Sequence, residues 1–329
     1  MKLTYEQIKD ITRGALYTFE DERGTHFRRF NKTQELYISN VSNFAIKVLN
    51  TAGVRFDFYT DSDYIAFEYT CGLRATSRNV AIDTYVDGAL VHNEDIIPEG
   101  IERGSYRADF EKKGKKRVTV YLAHLTEMVI TELSLSDGAS IEPYTDYTKK
   151  VLMCGDSITQ GHHTEYASLS YANRLAQNFG WDMLNQAVAG YWFDAKWVDG
   201  SIDFKPELIT VAFGTNDWYI DDGIEAFERE SRAFFKKLTG EFPGVPVAAI
   251  LPVWRVNIDT PKSVTLRELS QKLSAVAAEF GDVHVIDAFG FVPHLPEFFA
   301  DDGVHPNALG HAEYARGVAC ALIELGLEK

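Results

Sequence analysis

The carboxyl-terminal part of the sequence alternates between short apolar stretches and amphipathic helical patterns, and this alternation restricts the fold more than any other feature. Between the apolar stretches, hydrophobic residues recur every three or four positions, as in helices that cover a sheet. The pattern predicts an α/β domain with a parallel sheet and helices on both faces. The predicted strands are Val151–Cys154, Asp182–Ala187, Leu208–Ala212, Val247–Leu251 and Val283–Asp287.

The amino-terminal part has a different pattern. Between Leu36 and Leu135 the hydrophobic residues follow a period of two, as in half-buried strands. Asp87-Gly88 lies between two such stretches and predicts a hairpin with a type I′ turn. Frequent turns between short strands indicate a β-sandwich, jelly-roll-like in type. We place the seam within 141–146, which gives an accessory domain over 1–146 and a second domain over 147–329.

Two local patterns precede the strands. Thr4 and Gln7 have the spacing of a capping box, which predicts a short helix that begins after Thr4. The basic residues Arg23, Arg28 and Arg29 are interpreted as solvated surface.

The composition excludes several classes of partner. Lys and Arg number 33 against 48 Asp and Glu, and the net charge of -15 argues against nucleic acid and anionic membranes as partners. The three cysteines lie far apart and form neither a disulfide framework nor a metal-binding pair. No leader-like or membrane-length apolar run is present, which favours a cytoplasmic location. The sequence leaves a homo-oligomer open.

Polar motifs follow the predicted strands at the edge where α/β proteins bind ligands. Each has an ordinary explanation as a turn or a helix cap. Together they supply the groups that acyl transfer needs. The motifs are Gly155-Asp156-Ser157, the stretch from Asn185 to Gly190, Gly214-Thr215-Asn216-Asp217, and Asp302-Gly303-Val304-His305.

The residue types in these motifs predict a serine hydrolase. Ser157 can act as nucleophile, His305 as general base, and Asp302 as the group that holds the imidazole tautomer. The backbone N–H groups of Ser157 and Gly190 and the side-chain amide of Asn216 can donate to a tetrahedral oxyanion.

The ordered set resembles the SGNH (GDSL-type) hydrolase superfamily over about Lys149 to Leu325, and this resemblance implies a flavodoxin-like parallel sheet with helices on both faces. Ser157, Gly190, Asn216 and His305 stand at the positions of its four blocks, and Asp302 stands at its DxxH aspartate. Two positions depart from the family pattern. Ala187 replaces a second glycine that the family often has, and Ile158 replaces the leucine of the GDSL motif.

The strands of the amino-terminal part also resemble two-domain acetyl-carbohydrate esterases and related acyl-transfer enzymes. This resemblance implies hydrolysis of small acyl esters, acetyl above all, on a carbohydrate or glycoside, with no cofactor. Two alternatives stay open: an acyltransferase that uses the same triad, and a non-catalytic carbohydrate-binding protein.

Several further residues have a weaker interpretation. Trp192, Trp218 and Trp254 follow predicted strands and are candidates for the walls of a substrate pocket. The pair His162-His163 is interpreted as the solvated start of a helix, and Asp217 as a residue that holds its loop. His311 has too few partners at a suitable spacing for a metal site, so we predict no metal.

Overall fold

The amino-terminal part contains short helices and two antiparallel sheets. The computed structural model describes residues 1–41, 44–74 and 80–329. The elements before residue 149 are α1 (Tyr5–Ile11), β1 (Thr12–Arg13), β2 (Tyr17–Asp21), β3 (Gly24–Arg28), α2 (Lys32–Ser39), α3 (Phe44–Lys47), β4 (Arg55–Thr60), β5 (Tyr64–Arg74), β6 (Val80–Val86), β7 (Ala89–Ile97), β8 (Arg103–Asp109), β9 (Lys116–Tyr121), β10 (Thr126–Leu135) and β11 (Ile141–Pro143).

The two antiparallel sheets pack around one apolar core. One sheet has the order β2-β3-β10-β5-β8, and the other has the order β1-β4-β9-β6-β7 with β11 beside β4. Phe56 and Val118 of one sheet share a buried cluster with Phe67 and Ile130 of the other. Alternating burial along β5 is the half-buried pattern that the sequence shows.

Local turn and cap chemistry forms as expected. Asp87 and Gly88 both have positive φ, at 49° and 82°, as a type I′ turn requires. Thr4 and Gln7 form the predicted capping box at the start of α1. The period-two prediction from Leu36 onwards is wrong at its beginning, because Leu36 lies in α2. A second capping box, between Asn31 and Gln34, starts this helix.

The carboxyl-terminal part contains one parallel sheet and its helices. Its elements are β12 (Lys149–Gly155), α4 (Ser157–Gln160), α5 (Tyr171–Phe179), β13 (Trp181–Ala187), β14 (Leu208–Ala212), α6 (Thr215–Ile220), α7 (Ile224–Glu241), β15 (Val247–Ile250), α8 (Leu266–Ala277), β16 (Val283–Ile286) and α9 (Ala308–Glu324). Short 3-10 turns lie at Ala167–Leu169, Ala195–Trp197 and Pro296–Phe298. All five predicted strands are present.

The parallel sheet has helices on both faces. Its strand order β13-β12-β14-β15-β16 is the flavodoxin-like order, with the first strand beside the second and third. Residues of α7 and α8 pack on one face, and residues of α5 and α9 pack on the other. The carboxyl ends of β12, β13 and β14 therefore meet at one edge, where the polar motifs of the sequence lie. Of the helices in the described part of the chain, none has both the length and the apolar character of a membrane span.

Candidate active site

Ser157 lies at a sharp turn between β12 and α4. The Asp156 carboxylate accepts a hydrogen bond from the N–H of Ile158 at 2.9 Å and so caps α4. A side chain at Gly155 would bring its Cβ within 2.2 Å of the Thr159 hydroxyl, so only glycine fits there. The turn holds the Ser157 hydroxyl beyond the end of the strand, and Ser157 is 5% exposed.

The structure brings together the predicted nucleophile, the predicted general base and the aspartate that holds the base. His305 Nε2 lies 2.7 Å from Ser157 Oγ, and its Nδ1 lies 2.7 Å from Asp302 Oδ2. Because an ionised carboxylate only accepts hydrogen bonds, Nδ1 carries the ring proton and Nε2 accepts from the hydroxyl. Ser157 and His305 are 148 positions apart in the chain, and the loop before α9 closes this separation.

Asp302 has an unusual number of donors. Its Oδ1 accepts the N–H groups of Val304 at 2.9 Å and His305 at 3.1 Å. Its Oδ2 accepts from His305 and also from His163 Nε2, at 2.8 Å. Burial by itself would raise the pKa of this carboxyl, but the hydrogen bonds from His163, His305 and Val304 hold the pKa well below its ordinary value. Asp302 therefore stays ionised at any pH near neutrality.

The other two predicted oxyanion donors, Gly190 and Asn216, lie at the same edge of the sheet as Ser157. Gly190 follows β13 with φ of 85°, a conformation that favours glycine. Asn216 belongs to α6, and its side-chain amide donates to the carbonyl of Tyr191 at 2.9 Å. The N–H of Ala189 donates to the side chain of Gln160 at 2.8 Å. These bonds join the loops of β12, β13 and β14 to one another.

Two of the three predicted pocket tryptophans have exposed surface. Trp192 is half-buried, stacks on Tyr191 with centroids 5.3 Å apart, and borders an open cavity of about 630 Å³. Trp254 is half-buried and stacks on His294 at 4.7 Å. Trp218 is 2% exposed, and its indole N–H donates to the carbonyl of Val264. The prediction of a pocket role for Trp218 is therefore wrong, because the aromatic face is enclosed by the core.

The histidine pair after α4 is not solvated, contrary to the sequence interpretation. Gly161 ends α4 with φ of 98°, and His163 also has a positive φ, of 64°. This turn directs both imidazoles towards His305. The His162 ring stacks on His305 at 5.2 Å, and the His163 ring at 4.8 Å. Burial lowers the pKa of His162 well below its ordinary value, so this ring is neutral.

The interpretation of Arg29 as solvated surface is wrong, because Arg29 is 1% exposed. Its guanidinium donates to the carbonyls of Asn185 at 2.5 Å and Ala187 at 2.9 Å. It also donates to the carbonyls of Asn50 and Lys47. Strand β13 is the edge of the parallel sheet, so its outward carbonyls lack a neighbouring strand, and Arg29 satisfies them. Nothing in the local sequence distinguishes Arg29 from an exposed arginine.

Lys47 also reaches the oxyanion loop. Its ammonium donates to the carbonyl of Ala189 at 2.9 Å and lies 5.1 Å from the centroid of the Phe44 ring. A Cβ on Gly190 would lie 3.3 Å from this ammonium. Burial lowers the pKa of Lys47. The short helix α3 thus places a partly desolvated cation beside the loop that carries Gly190.

The remaining discounted residues have structural partners. Asp217 accepts the N–H of Phe193 at 3.2 Å and so holds its loop, as expected. His311 is fully buried, with its ring nitrogens bonded to the N–H of Tyr171 and the carbonyl of His162. Ligand atoms of His163, Asp302 and His305 lie within 4.8 Å of one another, but they are already joined by the hydrogen bonds described above.

Comparisons with known proteins relate part of this chain to a family of acyl hydrolases. Residues 153–313 match the model of the GDSL-like Lipase/Acylhydrolase family. The acetylxylan esterase of Xylanibacter ruminicola is 25% identical over 212 residues, which are 53% of this chain and 43% of that protein. The chain thus spans less than half of this relative.

Solved structures extend the likeness to the whole chain. The salicylyl-acyltransferase SsfX3 from a tetracycline biosynthetic pathway matches 96% of this chain and 94% of its own, with a TM-score of 0.81 and 21% identity. A family two carbohydrate esterase from Clostridium thermocellum, in complex with cellohexaose, matches 95% of this chain and 98% of its own, with a TM-score of 0.69 and 13% identity. At these identities the likeness is one of fold.

Proposed function

Residues 153–313 belong to the GDSL-like lipase/acylhydrolase family and form an SGNH hydrolase fold, and from this premise we propose that the protein is a serine esterase. Its substrates are small acyl esters, acetyl esters of carbohydrates or glycosides above all. The hydrogen-bonded series from Ser157 through His305 to Asp302 carries this proposal, because it is the arrangement that activates a serine hydroxyl.

The acylation step follows from the positions of these groups. Ser157 Oγ forms a bond to the ester carbonyl carbon while His305 Nε2 takes the hydroxyl proton. The carbonyl oxygen becomes an oxyanion, to which the N–H groups of Ser157 and Gly190 and the amide of Asn216 donate. When the tetrahedral intermediate breaks down, the bond to the alcohol oxygen is cleaved and His305 returns the proton to that oxygen.

Deacylation repeats the sequence with water. His305 takes a proton from the water as its oxygen attacks the acyl carbon, and then returns the proton to Ser157 Oγ as the acid departs. Asp302 stays ionised throughout and stabilises the imidazolium that forms twice in each cycle. No metal or organic cofactor takes part in these steps.

The comparisons support the substrate class, and the cavity that Trp192 borders, two positions after Gly190, supplies groups that can contact a sugar. One relative is named an acetylxylan esterase, and one solved relative is a carbohydrate esterase that holds cellohexaose. Trp192 and Tyr37 border the cavity together with acidic side chains. Aromatic faces and carboxylates are groups that can contact sugar rings and their hydroxyls. Trp254 is a further candidate wall.

A second candidate function is acyl transfer to an alcohol instead of water. It is favoured by the likeness to an acyltransferase over 96% of this chain. The same triad would serve, because only the second nucleophile differs. Product analysis in the presence of competing alcohols separates the two, since a transferase yields mainly the new ester.

We further propose that residues 1–146 form a jelly-roll-like accessory domain that is an integral part of the hydrolase over 147–329. Phe30, Ile38 and Phe44 share a buried cluster with residues on one face of the parallel sheet. Arg29 and Lys47 donate to backbone carbonyls of β13 and of the oxyanion loop. A detachable binding module would need neither the shared core nor these bonds.

The test of the function combines labelling with turnover. A fluorophosphonate probe is expected to modify the wild-type protein once, on Ser157, and Ser157→Ala is expected to prevent both labelling and turnover. A series of p-nitrophenyl esters from acetate to octanoate is expected to show the highest kcat/KM for acetate, and acetylated oligosaccharides then test the alcohol. Labelling at another residue, or turnover by the Ser157→Ala variant, would refute the assignment.

A further inference from the structure

His163 makes a contact that a Ser-His-Asp series does not require. Its Nε2 lies 2.8 Å from Asp302 Oδ2, the same oxygen that accepts from His305 at 2.7 Å. The two imidazoles stack with centroids 4.8 Å apart and an angle of 25° between their planes. Two histidine rings therefore share one carboxylate oxygen.

The backbone at His163 is held in an uncommon conformation. Its φ of 64° lies in the left-handed region, which non-glycine residues occupy at a cost of about 1–3 kcal/mol. The cost is offset locally, because this turn is what directs the ring to Asp302. The ring is well enclosed, since the side chain of His163 is 8% exposed.

The protonation pattern follows from the partners. Asp302 can only accept, so Nε2 of His163 carries a proton. Its Nδ1 is buried and has no hydrogen-bond partner among the described residues, so no contact in that part of the chain calls for a second ring proton. The ring thus acts as an Nε2–H donor to the carboxylate.

We propose that His163 is a positioning residue of the triad, which shares Oδ2 of Asp302 with His305 and thereby holds the carboxylate and moderates the negative charge that His305 faces. This inference rests on the proposed esterase function. Because the carboxylate divides its charge between two donors, it stabilises the imidazolium of His305 less than an undivided carboxylate would.

The other groups around His305 do not explain such an effect. His162, His124 and His311 are neutral, since burial lowers the pKa of His162 well below its ordinary value and the pKa values of the other two to about 4 and about 3. Lys47 and Arg255 are cations that a His163 substitution leaves unchanged. Among the described residues, His162 and His311 interact electrostatically with His305, and His163 and Arg255 interact with Asp302. His124 and Lys47 act on His162.

The test compares two substitutions in the full-length protein. His163→Phe keeps an aromatic ring beside His305 but has no donor for Asp302. His163→Gln keeps a donor, because the Gln side-chain amide can place an N–H near the position of the imidazole Nε2. For His163→Phe we expect kcat to fall about tenfold with KM within about twofold, since Asp302 loses its second support. The pH at which kcat/KM is half-maximal on the acid side should rise, because Asp302 then directs its undivided charge at His305.

His163→Gln should return this pH to the wild-type value. His162→Phe is the matched control, because His162 also stacks on His305 but does not bond Asp302, and its acid limb should stay at the wild-type pH. An acid limb of His163→Phe equal to that of the wild type would overturn the inference, as would a shift that His163→Gln does not reverse. A wild-type protein without turnover would instead refute the esterase function itself.

A second measurement needs no variant. Long-range ¹H–¹⁵N spectra of the wild-type protein at neutral pH distinguish the two neutral tautomers of each histidine ring. The inference requires the Nε2–H form at His163 and the Nδ1–H form at His305. An Nδ1–H tautomer at His163 would overturn it even if His163→Phe failed to fold.

Discussion

Replacement of Arg29 by methionine tests whether the amino-terminal domain is part of the catalytic structure. Arg29 is 1% exposed, and in the described part of the chain its hydrogen-bond partners are four backbone carbonyls. Two of these, at Asn185 and Ala187, lie on the edge strand that leads into the oxyanion loop. Methionine fills much of the same volume but donates no hydrogen bond.

The magnitude follows from two opposing contributions. Methionine leaves four carbonyls without their donor, and each costs about 2 kcal/mol, so that the four cost about 8 kcal/mol. Burial lowers the pKa of the Arg29 guanidinium from 12.5 to about 9, which corresponds to a desolvation cost of about 5 kcal/mol. The net loss expected for Arg29→Met is therefore about 3 kcal/mol of unfolding free energy.

The substitution should also affect catalysis. Without Arg29 the carbonyls of the edge strand lose their hydrogen-bond donor, and the loop that carries Gly190 is held less firmly. We therefore expect kcat to fall by about tenfold or more, with a smaller change in KM. Urea unfolding gives the stability, and turnover of p-nitrophenyl acetate gives kcat. Arg28→Met is the matched control. Its guanidinium contacts Glu35 and Glu127, which both lie in the amino-terminal part.

Arg28→Met should therefore lose stability with little change in kcat. The reasoning would be refuted if Arg29→Met unfolded at the wild-type urea concentration and kept the wild-type kcat. Equal losses of kcat in the Arg28 and Arg29 variants would show that the effect on catalysis is one of general stability.

Three further changes test other parts of the structure. Asn216→Ala should lower kcat by about 10²–10³ with a smaller effect on KM, as expected for the loss of one oxyanion donor. An unchanged kcat would mean that Asn216 only holds its loop, through its hydrogen bond to the Tyr191 carbonyl. Gly190→Ala should lower kcat by at least about tenfold, because φ is 85° and the new Cβ would lie 3.3 Å from the Lys47 ammonium; wild-type turnover would contradict this. Asp83 is 1% exposed, and burial raises its pKa from 3.8 to about 7, so its contribution to stability is present below pH 3.8 and is lost as the pH rises towards 7. The difference in unfolding free energy between Asp83→Asn and the wild type should therefore shift by about 2 kcal/mol in favour of the variant from pH 5 to pH 7. A difference in urea unfolding that is the same at both pH values would disprove the raised pKa.

Much of the fold can be predicted from short segments of the sequence. The strands of the parallel sheet, the Asp87-Gly88 turn and the capping box at Thr4 depend on residues that are close together in the chain. Their patterns are therefore visible without the structure. The approximate site is visible for the same reason, because three of the four polar motifs directly follow a strand, and parallel strands end at a common edge.

Local patterns gave wrong predictions at Leu36 and Trp218. Leu36 falls within a period-two reading, but the capping box of Asn31 and Gln34 starts a helix at Lys32, and the helix forms. Trp218 follows a strand just as Trp192 does. Only the packing of the finished structure decides that Trp218 is enclosed and Trp192 is not.

The tertiary structure alone decided which polar side chains are buried and which partners they meet. Arg29 contacts carbonyls 156 and 158 positions away, because β13 is an edge strand and the amino-terminal domain covers that edge. His163 meets Asp302 because a left-handed turn after α4 faces the loop before α9. An arginine or histidine looks the same in the sequence whether it is solvated or buried. The sequence by itself determines the residue types and the local turns of the catalytic motifs. Desolvation and hydrogen bonding between distant segments exist only once the sheets have packed.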